Sequence, residues 1–295
     1  MELSVPVDDG VKLNVRYRPG EDGRPFLLLH GLGSNARMWD EVADRLAAAG
    51  HPAYAADMRG HGGSDTPEHG YDNATAVADI VTLCRELGLK EPLIAGHSWG
   101  GNLAVRALAQ NPGLCAGLGL VDGGWVDFAS IPGFAGYAEH AQLRRPDATG
   151  TTRDGMRLML RGLHPTWSDA AIEASLADMV EGPDGLLVQR LPLQRFLPVF
   201  HSMCEDPPAR WYPGVTVPVL LLNALPPQES WWSTNVRRWV AKAEAAIPQA
   251  ESRWYLDADH NLHADDPERL AGDLLDLART VEDSKSLDEP LPERS

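Results

Sequence analysis

Six short, continuously apolar runs place the strongest constraint on the fold of this 295-residue chain. Apolar residues fill each run instead of alternating with polar ones, which is typical of parallel strands covered on both faces. Several of the segments between the runs carry apolar residues at helical spacing, so strands and helices alternate. This order predicts an α/β fold on a mostly parallel, doubly wound sheet. The runs are residues 26–30, 52–58, 92–97, 116–122, 218–223 and 253–258.

The chain departs from this alternation at its two ends and over one long interval. The first eighteen residues predict a β-hairpin with a turn at Asp8-Asp9-Gly10. Between residues 123 and 213 no clear strand is visible, and a stretch of that length is more typical of an inserted helical lid than of a loop. The charged, proline-containing C-terminus predicts disorder. The predicted domains are an α/β core at 1–123 and 214–281, a helical cap at 124–213 and a disordered tail at 282–295.

Composition narrows the class of protein. A formal net charge of −16 disfavours nucleic acids and anionic membranes as partners. The three cysteines are odd in number and form no CxxC pair, so we expect reduced thiols and no structural zinc. Neither a signal peptide nor an apolar run long enough to span a bilayer is visible. We expect a cytoplasmic protein, a monomer or homodimer, that acts on a small molecule without a metal or cofactor.

One pentapeptide points to a specific chemistry. Residues 96–100 read Gly-His-Ser-Trp-Gly, the G-x-S-x-G pattern, between an apolar run and a helical segment. A serine on such a strand-to-helix turn needs a strained backbone angle, and side chains two residues to either side would collide. The turn would raise the Ser98 hydroxyl above the sheet and aim the helix N-terminus at a developing oxyanion. The pattern therefore predicts that Ser98 is a nucleophile.

Three further segments extend this motif into a family resemblance. They read LLLHGLGSNARMW at 27–39, ADMRGHGGSD at 56–65 and DADHNLHADDPERLA at 257–271. With the serine motif, and in this order, they resemble the α/β-hydrolase superfamily, in particular its serine esterases and lipases with a helical cap. The resemblance covers nearly the whole chain. It implies an α/β-hydrolase fold and a triad mechanism, but its motifs do not determine the substrate.

The resemblance also implies roles for individual residues. The backbone N–H groups of Leu32 and Trp99 would form the oxyanion hole. The general base would be a histidine after the last strand, where His260 and His263 are both available. We favour His260, because the family's histidine commonly lies about two helical turns of sequence before the proline of the final helix, here Pro267.

The acid of the triad has more than one candidate in the sequence. Many relatives carry it just after the strand that here reads PVLLLN, but prolines occupy that place in this chain. The family's other solution puts the acid at the end of the preceding strand, where Asp122 is followed by two glycines. We favour Asp122. Glu229, which also reads as a helix cap, and Asp127 remain alternatives.

The leading functional prediction is a serine hydrolase that cleaves an ester, thioester or lactone of a bulky, largely apolar molecule. An acyltransferase, cyclase or lyase could use the same triad, and the disturbed segment after residue 223 leaves open a non-catalytic ligand-binding receptor. Cap aromatics, including Phe134 and Tyr137, should divide between the cap's own core and an apolar pocket. The residues expected to bind substrate are Gly31, His97, Trp125, Phe128 and Trp231. The cap arginines expected to form a solvated face are Arg144, Arg145, Arg153, Arg157 and Arg161.

Overall fold

An eight-stranded sheet forms the centre of the protein in the computed structural model, which describes residues 1–131 and 149–288. The strand order is β1-β2-β4-β3-β5-β6-β9-β10. The first two strands form an antiparallel hairpin, β2 is antiparallel to β4, and the other neighbours are parallel. The predicted hairpin and the mostly parallel sheet are therefore confirmed. The strands are β1 Glu2–Pro6, β2 Lys12–Arg18, β3 Phe26–Leu29, β4 Ala53–Ala56, β5 Leu93–His97, β6 Gly117–Val121, β9 Val219–Leu225 and β10 Ala250–Leu256.

Helices cover both faces of this sheet. On one face, α1 and α9 bury Leu46 and Leu274 against the strands. On the other face, α2, α3 and α7 do the same with residues such as Ile80, Leu103 and Val240. Two apolar layers therefore enclose strands that are buried on both sides, as continuous apolar runs require. The helices are α1 Asp40–Ala48, α2 Asn73–Glu86, α3 Trp99–Gln110, α4 Arg153–Leu163, α5 Asp169–Leu176, α6 Leu193–Glu205, α7 Trp231–Ala246, α8 Leu262–Asp265 and α9 Pro267–Asp288.

The segment between β6 and β9 contains more than helices. It carries α4, α5 and α6, but also an antiparallel hairpin of β7, Met179–Glu181, and β8, Leu187–Gln189. The expectation of no strand in this segment was wrong. Each of these strands has only three residues, which is too few to display an alternating pattern.

The C-terminal helix is longer than predicted. Val281 is buried against the sheet, and α9 continues beyond it to Asp288. The predicted disorder was therefore wrong for residues 282–288, because a helix anchored by a buried residue extends past its anchor. Residues 289–295, and the cap residues Phe134, Tyr137, Arg144 and Arg145, lie outside the described residues. Within the described part, no helix combines the length and apolar composition that crossing a membrane requires.

Candidate active site

Ser98 lies on a sharp turn between β5 and α3. Its backbone has φ 51° and ψ −116°, and its N–H donates to the carbonyl of Val121 on β6 at 2.9 Å. The flanking glycines allow this conformation: a Cβ on Gly96 would lie 2.4 Å from the carbonyl of Gly100. A Cβ on Gly100 would lie 2.5 Å from the carbonyl oxygen of Leu29. The turn therefore holds a strained serine at the C-terminal edge of the sheet, as the motif predicts.

A carboxylate and an imidazole meet beside this serine. His260 Nδ1 donates to Asp122 Oδ2 at 2.5 Å, and Asp122 is 6% exposed. Burial lowers the pKa of His260, but the hydrogen bond and negative charge of Asp122 outweigh it and raise that pKa above its ordinary value. Glu229 points elsewhere, since its carboxylate pairs with Arg237 at 3.2 Å. The structure thus brings Asp122, not Glu229, to His260.

The serine and the imidazole share the same space. Ser98 and His260 both line two cavities that meet at the site. Among the described residues, no hydrogen bond joins Ser98 Oγ to His260. Catalytic hydrogen bonds of this kind often tighten only when substrate binds.

His263, the alternative base, lies in a different environment. Its ring is 1% exposed and packs edge-on against Trp39, with centroids 5.2 Å apart. Burial lowers its pKa to about 3. His97 lies between the two other histidines and donates from Nε2 to the backbone carbonyl of His260 at 2.9 Å. The geometry therefore gives His97 a part in positioning the His260 loop and leaves His263 in the core.

The loop after β3 is held in place by its own polar residues. His30 donates from Nδ1 to the carbonyl of Gly31 at 2.7 Å and accepts from the Met58 N–H at 3.0 Å. This loop places Leu32 in the wall of a cavity that Ser98 also lines, while Trp99 follows Ser98 directly. The two residues expected to donate to an oxyanion are thus a neighbour of Ser98 in the chain and a residue of the same cavity wall.

The two cavities differ in the character of their walls. The first, here the apolar cavity, has a volume of about 430 Å³. The second, the polar cavity, has a volume of about 350 Å³. The apolar side chains of the first cavity are Val126, Phe128, Phe200, Ala224, Pro226, Trp232 and Ala258, and its polar lining is Asn102, Asp122 and Asp259 besides Ser98 and His260. The polar cavity is lined by, among others, Leu32, Ser34, Asn35, Gln189 and Asn261.

The residues expected to bind substrate divide between these walls and the core. Phe128 lines the apolar cavity, and Gly31 and His97 line the polar cavity. Trp125 does not reach either cavity, because it is 3% exposed and stacks on Trp239 with centroids 6.5 Å apart.

Trp231, which was expected to bind substrate, lines neither cavity, and its neighbour Trp232 lines the apolar cavity instead. Trp231 is the first residue of α7 and is 47% exposed, whereas Trp232 lines the apolar cavity. Successive helical residues point about 100° apart, so only one of the pair can face the cavity. Phe200 on α6 was not singled out as a pocket residue. It stacks with Phe196 one helical turn earlier, and that aromatic spacing was the available signal.

The site therefore offers a strained serine, an imidazole oriented by a carboxylate, and backbone donors beside them. Across residues 1–131 and 149–284, no three His, Cys, Asp or Glu side chains are arranged to hold a metal ion. These groups suffice for acyl transfer through a serine ester.

The chain is similar in sequence to several known proteins. The uncharacterised protein Rv2715 of Mycobacterium tuberculosis strain H37Rv is 36% identical over 269 residues, 86% of this chain and 75% of that protein. The 2-(acetamidomethylene)succinate hydrolase of Mesorhizobium japonicum is 36% identical over 121 residues, 41% of this chain and 42% of that protein. The chain spans between 34% and 42% of the length of the first four curated relatives that it matches.

The fold comparison agrees with the sequence comparison. The solved structure of E-2-(acetamidomethylene)succinate hydrolase superposes with a TM-score of 0.76 at 24% identity, covering 95% of this chain and 100% of that one. The model of the alpha/beta hydrolase family matches residues 26–274, which contain the serine turn, Asp122 and His260. The chain therefore belongs to the alpha/beta hydrolase family.

Proposed function

We propose that the protein is a serine hydrolase that cleaves an ester, thioester or lactone through an acyl-enzyme formed on Ser98. The observation that carries the proposal is the 2.5 Å hydrogen bond from His260 Nδ1 to Asp122 Oδ2. A carboxylate in this place fixes the imidazole with its other nitrogen free to act on the serine hydroxyl. Ser98 lines the same two cavities as that imidazole.

The proposed reaction has two halves. Ser98 Oγ attacks the carbonyl carbon while His260 Nε2 takes the hydroxyl proton, and the oxyanion accepts hydrogen bonds from Leu32 N–H and Trp99 N–H. Collapse expels the alcohol or thiol, which receives the proton from His260. Water then attacks the acyl-enzyme with His260 again as base and releases the acid and free Ser98. Asp122 stays ionised and stabilises the imidazolium in both halves.

The proposed substrate is bulky on at least one side of the scissile bond. The apolar cavity presents Phe128, Phe200 and Trp232 to the serine. Its volume of about 430 Å³ falls in the range of small-molecule pockets and far exceeds what an acetyl group needs. An acyl or alcohol part with a long or aromatic chain would bury the most apolar surface there.

Among the alternatives that would use the same triad, an acyltransferase differs only in the acceptor, whereas a cyclase or lyase would differ in the step itself. An acyltransferase would pass the acyl group from Ser98 to an alcohol or amine instead of water. The receptor alternative was suggested by the missing acid after β9, and the Asp122–His260 pair removes that reason for it.

Labelling with a fluorophosphonate probe tests the proposal. The native protein should be labelled and Ser98→Ala should not, while Ser284→Ala, on the exposed side of α9, should label normally. Equal labelling of the native protein and Ser98→Ala would refute the serine mechanism. Free acid released from p-nitrophenyl esters of two to ten carbons, with and without added alcohol, then separates hydrolysis from transfer. A clear preference for acetate would contradict a bulky substrate.

A further inference from the structure

A third cavity lies beyond the polar cavity and gathers three arginines. Its volume is about 380 Å³. Arg37 comes from the 3₁₀ turn Ala36–Trp39, Arg153 from the first position of α4, and Arg190 from the residue after β8. Three segments far apart in sequence thus direct a guanidinium group to one place, here named the arginine cavity.

Two of these arginines have no acidic partner within the part of the chain that the structure describes. Neither Arg37 nor Arg190 forms an ion pair with any residue of the described ranges, and Arg190 Nε is buried without a hydrogen-bond partner there. Arg153 is paired, at 2.7 Å, with Glu173. Arg37 is exposed to solvent, whereas Arg190 is partly buried, so the unpartnered Nε of Arg190 is the unexpected feature in a chain with a net charge of −16.

The acidic residues in the same wall are already engaged. Glu2 pairs with Arg16 at 2.6 Å. Asp57 accepts hydrogen bonds from Asn14 Nδ2, Ala36 N–H and Gly63 N–H at 2.6–2.9 Å. The Glu2 carboxylate therefore faces Arg16, and the Asp57 carboxylate is held by neutral donors, two of which, Asn14 and Gly63, also line the cavity. Neither carboxylate pairs with Arg37 or Arg190, whose guanidinium donors stay available.

The arginine cavity adjoins the candidate active site. Asn35 and Met179 line both it and the polar cavity, which reaches Ser98. Gln189 lines the polar cavity, whereas the next residue, Arg190, lines the arginine cavity. Successive residues of an extended chain point to opposite sides, so the β7–β8 hairpin forms the wall between the two.

We propose that the arginine cavity binds an oxyanion, a carboxylate or phosphate, at the end of the substrate whose scissile bond lies at Ser98. Guanidinium groups donate in a planar fork that matches such oxyanions. In a strongly acidic protein, a local cationic pocket also offsets the long-range repulsion of an anionic substrate. The inference rests on the proposed function and gives the substrate an apolar body and an anionic end.

Matched esters test this proposal. One set carries a terminal carboxylate on the acyl chain, as p-nitrophenyl half-esters of dicarboxylic acids, and a second carries it on the alcohol. Each member has a neutral partner with a methyl ester in place of the carboxylate. For each pair, the charge preference is the kcat/KM of the charged ester divided by that of its neutral partner. Arg190→Ala should lower this ratio about tenfold in one of the two ester sets. The loss should fall mainly on KM, because this contact is made equally in the ground and transition states.

Three controls sharpen the result. Arg190→Lys should recover part of the ratio, since it keeps the charge but not the fork. Arg238→Ala, an exposed arginine on α7, should leave the ratio unchanged. The charge preference should appear only above a minimum chain length, because Asn35 and Met179 lie between Ser98 and the arginines.

Several outcomes would overturn the proposal. An unchanged ratio in both ester sets, or equal losses of kcat/KM for charged and neutral members, would mean that the arginines do not bind the substrate's charged group. Inorganic phosphate that changes the turnover of neutral esters through Arg190, without any carboxylate preference, would assign the cavity to a free anion instead. Ser98-dependent hydrolysis of neutral esters without charge preference would leave the proposed function standing alone. No hydrolysis of any ester would remove both.

Discussion

At the scale of single residues, Asp122 is the most constrained group in the site. Its backbone adopts φ 41°, a left-handed conformation that costs energy for a residue other than glycine. Its N–H donates to the carbonyl of Leu222 at 2.7 Å, and its Oδ1 accepts from the N–H of Ala224 at 3.1 Å. Both partners belong to β9. The strand that lacks an acid of its own therefore holds the carboxylate of its neighbour toward His260.

This arrangement predicts that Asp122→Asn lowers kcat by about 10³–10⁴ while the circular dichroism spectrum stays unchanged. The amide preserves the shape of the side chain but stabilises neither the working tautomer nor the imidazolium. Rates on a p-nitrophenyl ester measure the effect. Glu229→Gln is the matched control and should turn over normally. A large loss in Glu229→Gln with near-normal turnover in Asp122→Asn would transfer the role to Glu229.

How far single residues can be predicted depends on what fixes them. Ser98 could be predicted because its turn has room only for glycine at positions 96 and 100, and the resulting G-x-S-x-G pattern is visible in the sequence. His260 and Asp122 follow from their places after strands. The orientation of Trp231 and Trp232 depends on where α7 starts, and Ser230 fixes that start by capping the helix through reciprocal hydrogen bonds with Ser233. A shift of one residue in that start would exchange the faces of the two tryptophans at 231 and 232, so sequence alone could not choose between them.

At the scale of secondary-structure elements, the end of β6 and the serine turn pack backbone against backbone. A Cβ on Gly123 would lie 2.3 Å from the carbonyl oxygen of Ser98 and 2.6 Å from its Cα. The residue after the proposed acid must therefore have no side chain. This contact couples the position of the acid to that of the nucleophile.

Gly123→Ala should accordingly cost about 1–3 kcal/mol of unfolding free energy and abolish fluorophosphonate labelling, because the elbow has to move. Gly272→Ala is its matched control. Gly272 lies inside α9 with no atom near enough to meet a Cβ, so alanine there should stabilise by about 0.5–1 kcal/mol. Urea denaturation measures both. Normal labelling of Gly123→Ala would show that the contact does not hold the serine turn in place.

The loop after β4 is joined to α2 by a buried ion pair. Arg59 donates from Nε and Nη2 to the two oxygens of Asp79 at 2.7 Å, and both side chains are at most 3% exposed. Asp79→Asn would leave a buried guanidinium without its counter-charge, and we expect a loss of about 3–5 kcal/mol in unfolding free energy. Glu86→Gln removes a partner from the exposed pair with Arg85 and should cost under about 1 kcal/mol. A loss in Asp79→Asn no larger than that control would contradict a structural role.

The elements themselves were predictable in proportion to their length and burial. The six apolar runs became six strands, because continuous apolar sequence has few other solutions in a chain with helices between the runs. The first five are largely buried, whereas β10 at the sheet edge buries only Tyr255. The β7–β8 hairpin was missed, since three-residue strands carry no period and are stabilised by the packing of the segment around them. That hairpin separates the polar cavity from the arginine cavity. The arginine at 190 was therefore not recognised as a cavity residue, and Arg153 was assigned to a solvated face.

At the scale of the whole molecule, buried histidines link stability to pH. His30, His97 and His263 are each at most 3% exposed, and burial lowers the pKa of all three. The folded protein keeps these rings neutral, whereas the unfolded chain binds protons at them below about pH 6.5. Stability from these groups is therefore present above that pH and is lost as the pH falls. The pKa of His260 is raised, so its contribution has the opposite sign and is lost as the pH rises through its folded value.

Three histidines with lowered pKa outweigh one with raised pKa, so acidification should destabilise the protein before its carboxylates titrate. Each buried histidine can contribute up to about 1.4 kcal/mol per pH unit below 6.5. We expect the unfolding free energy to fall by roughly 1–3 kcal/mol between pH 7 and pH 5.5, measured by urea denaturation at each pH. His263→Gln removes one such group. It should reduce the slope of unfolding free energy against pH by the contribution of up to one proton, whatever its effect on absolute stability. His69→Gln, at an exposed position, should leave the slope unchanged. A flat profile over this range would mean that the buried rings already carry protons in the folded state, and it would remove the basis for excluding His263 as the base.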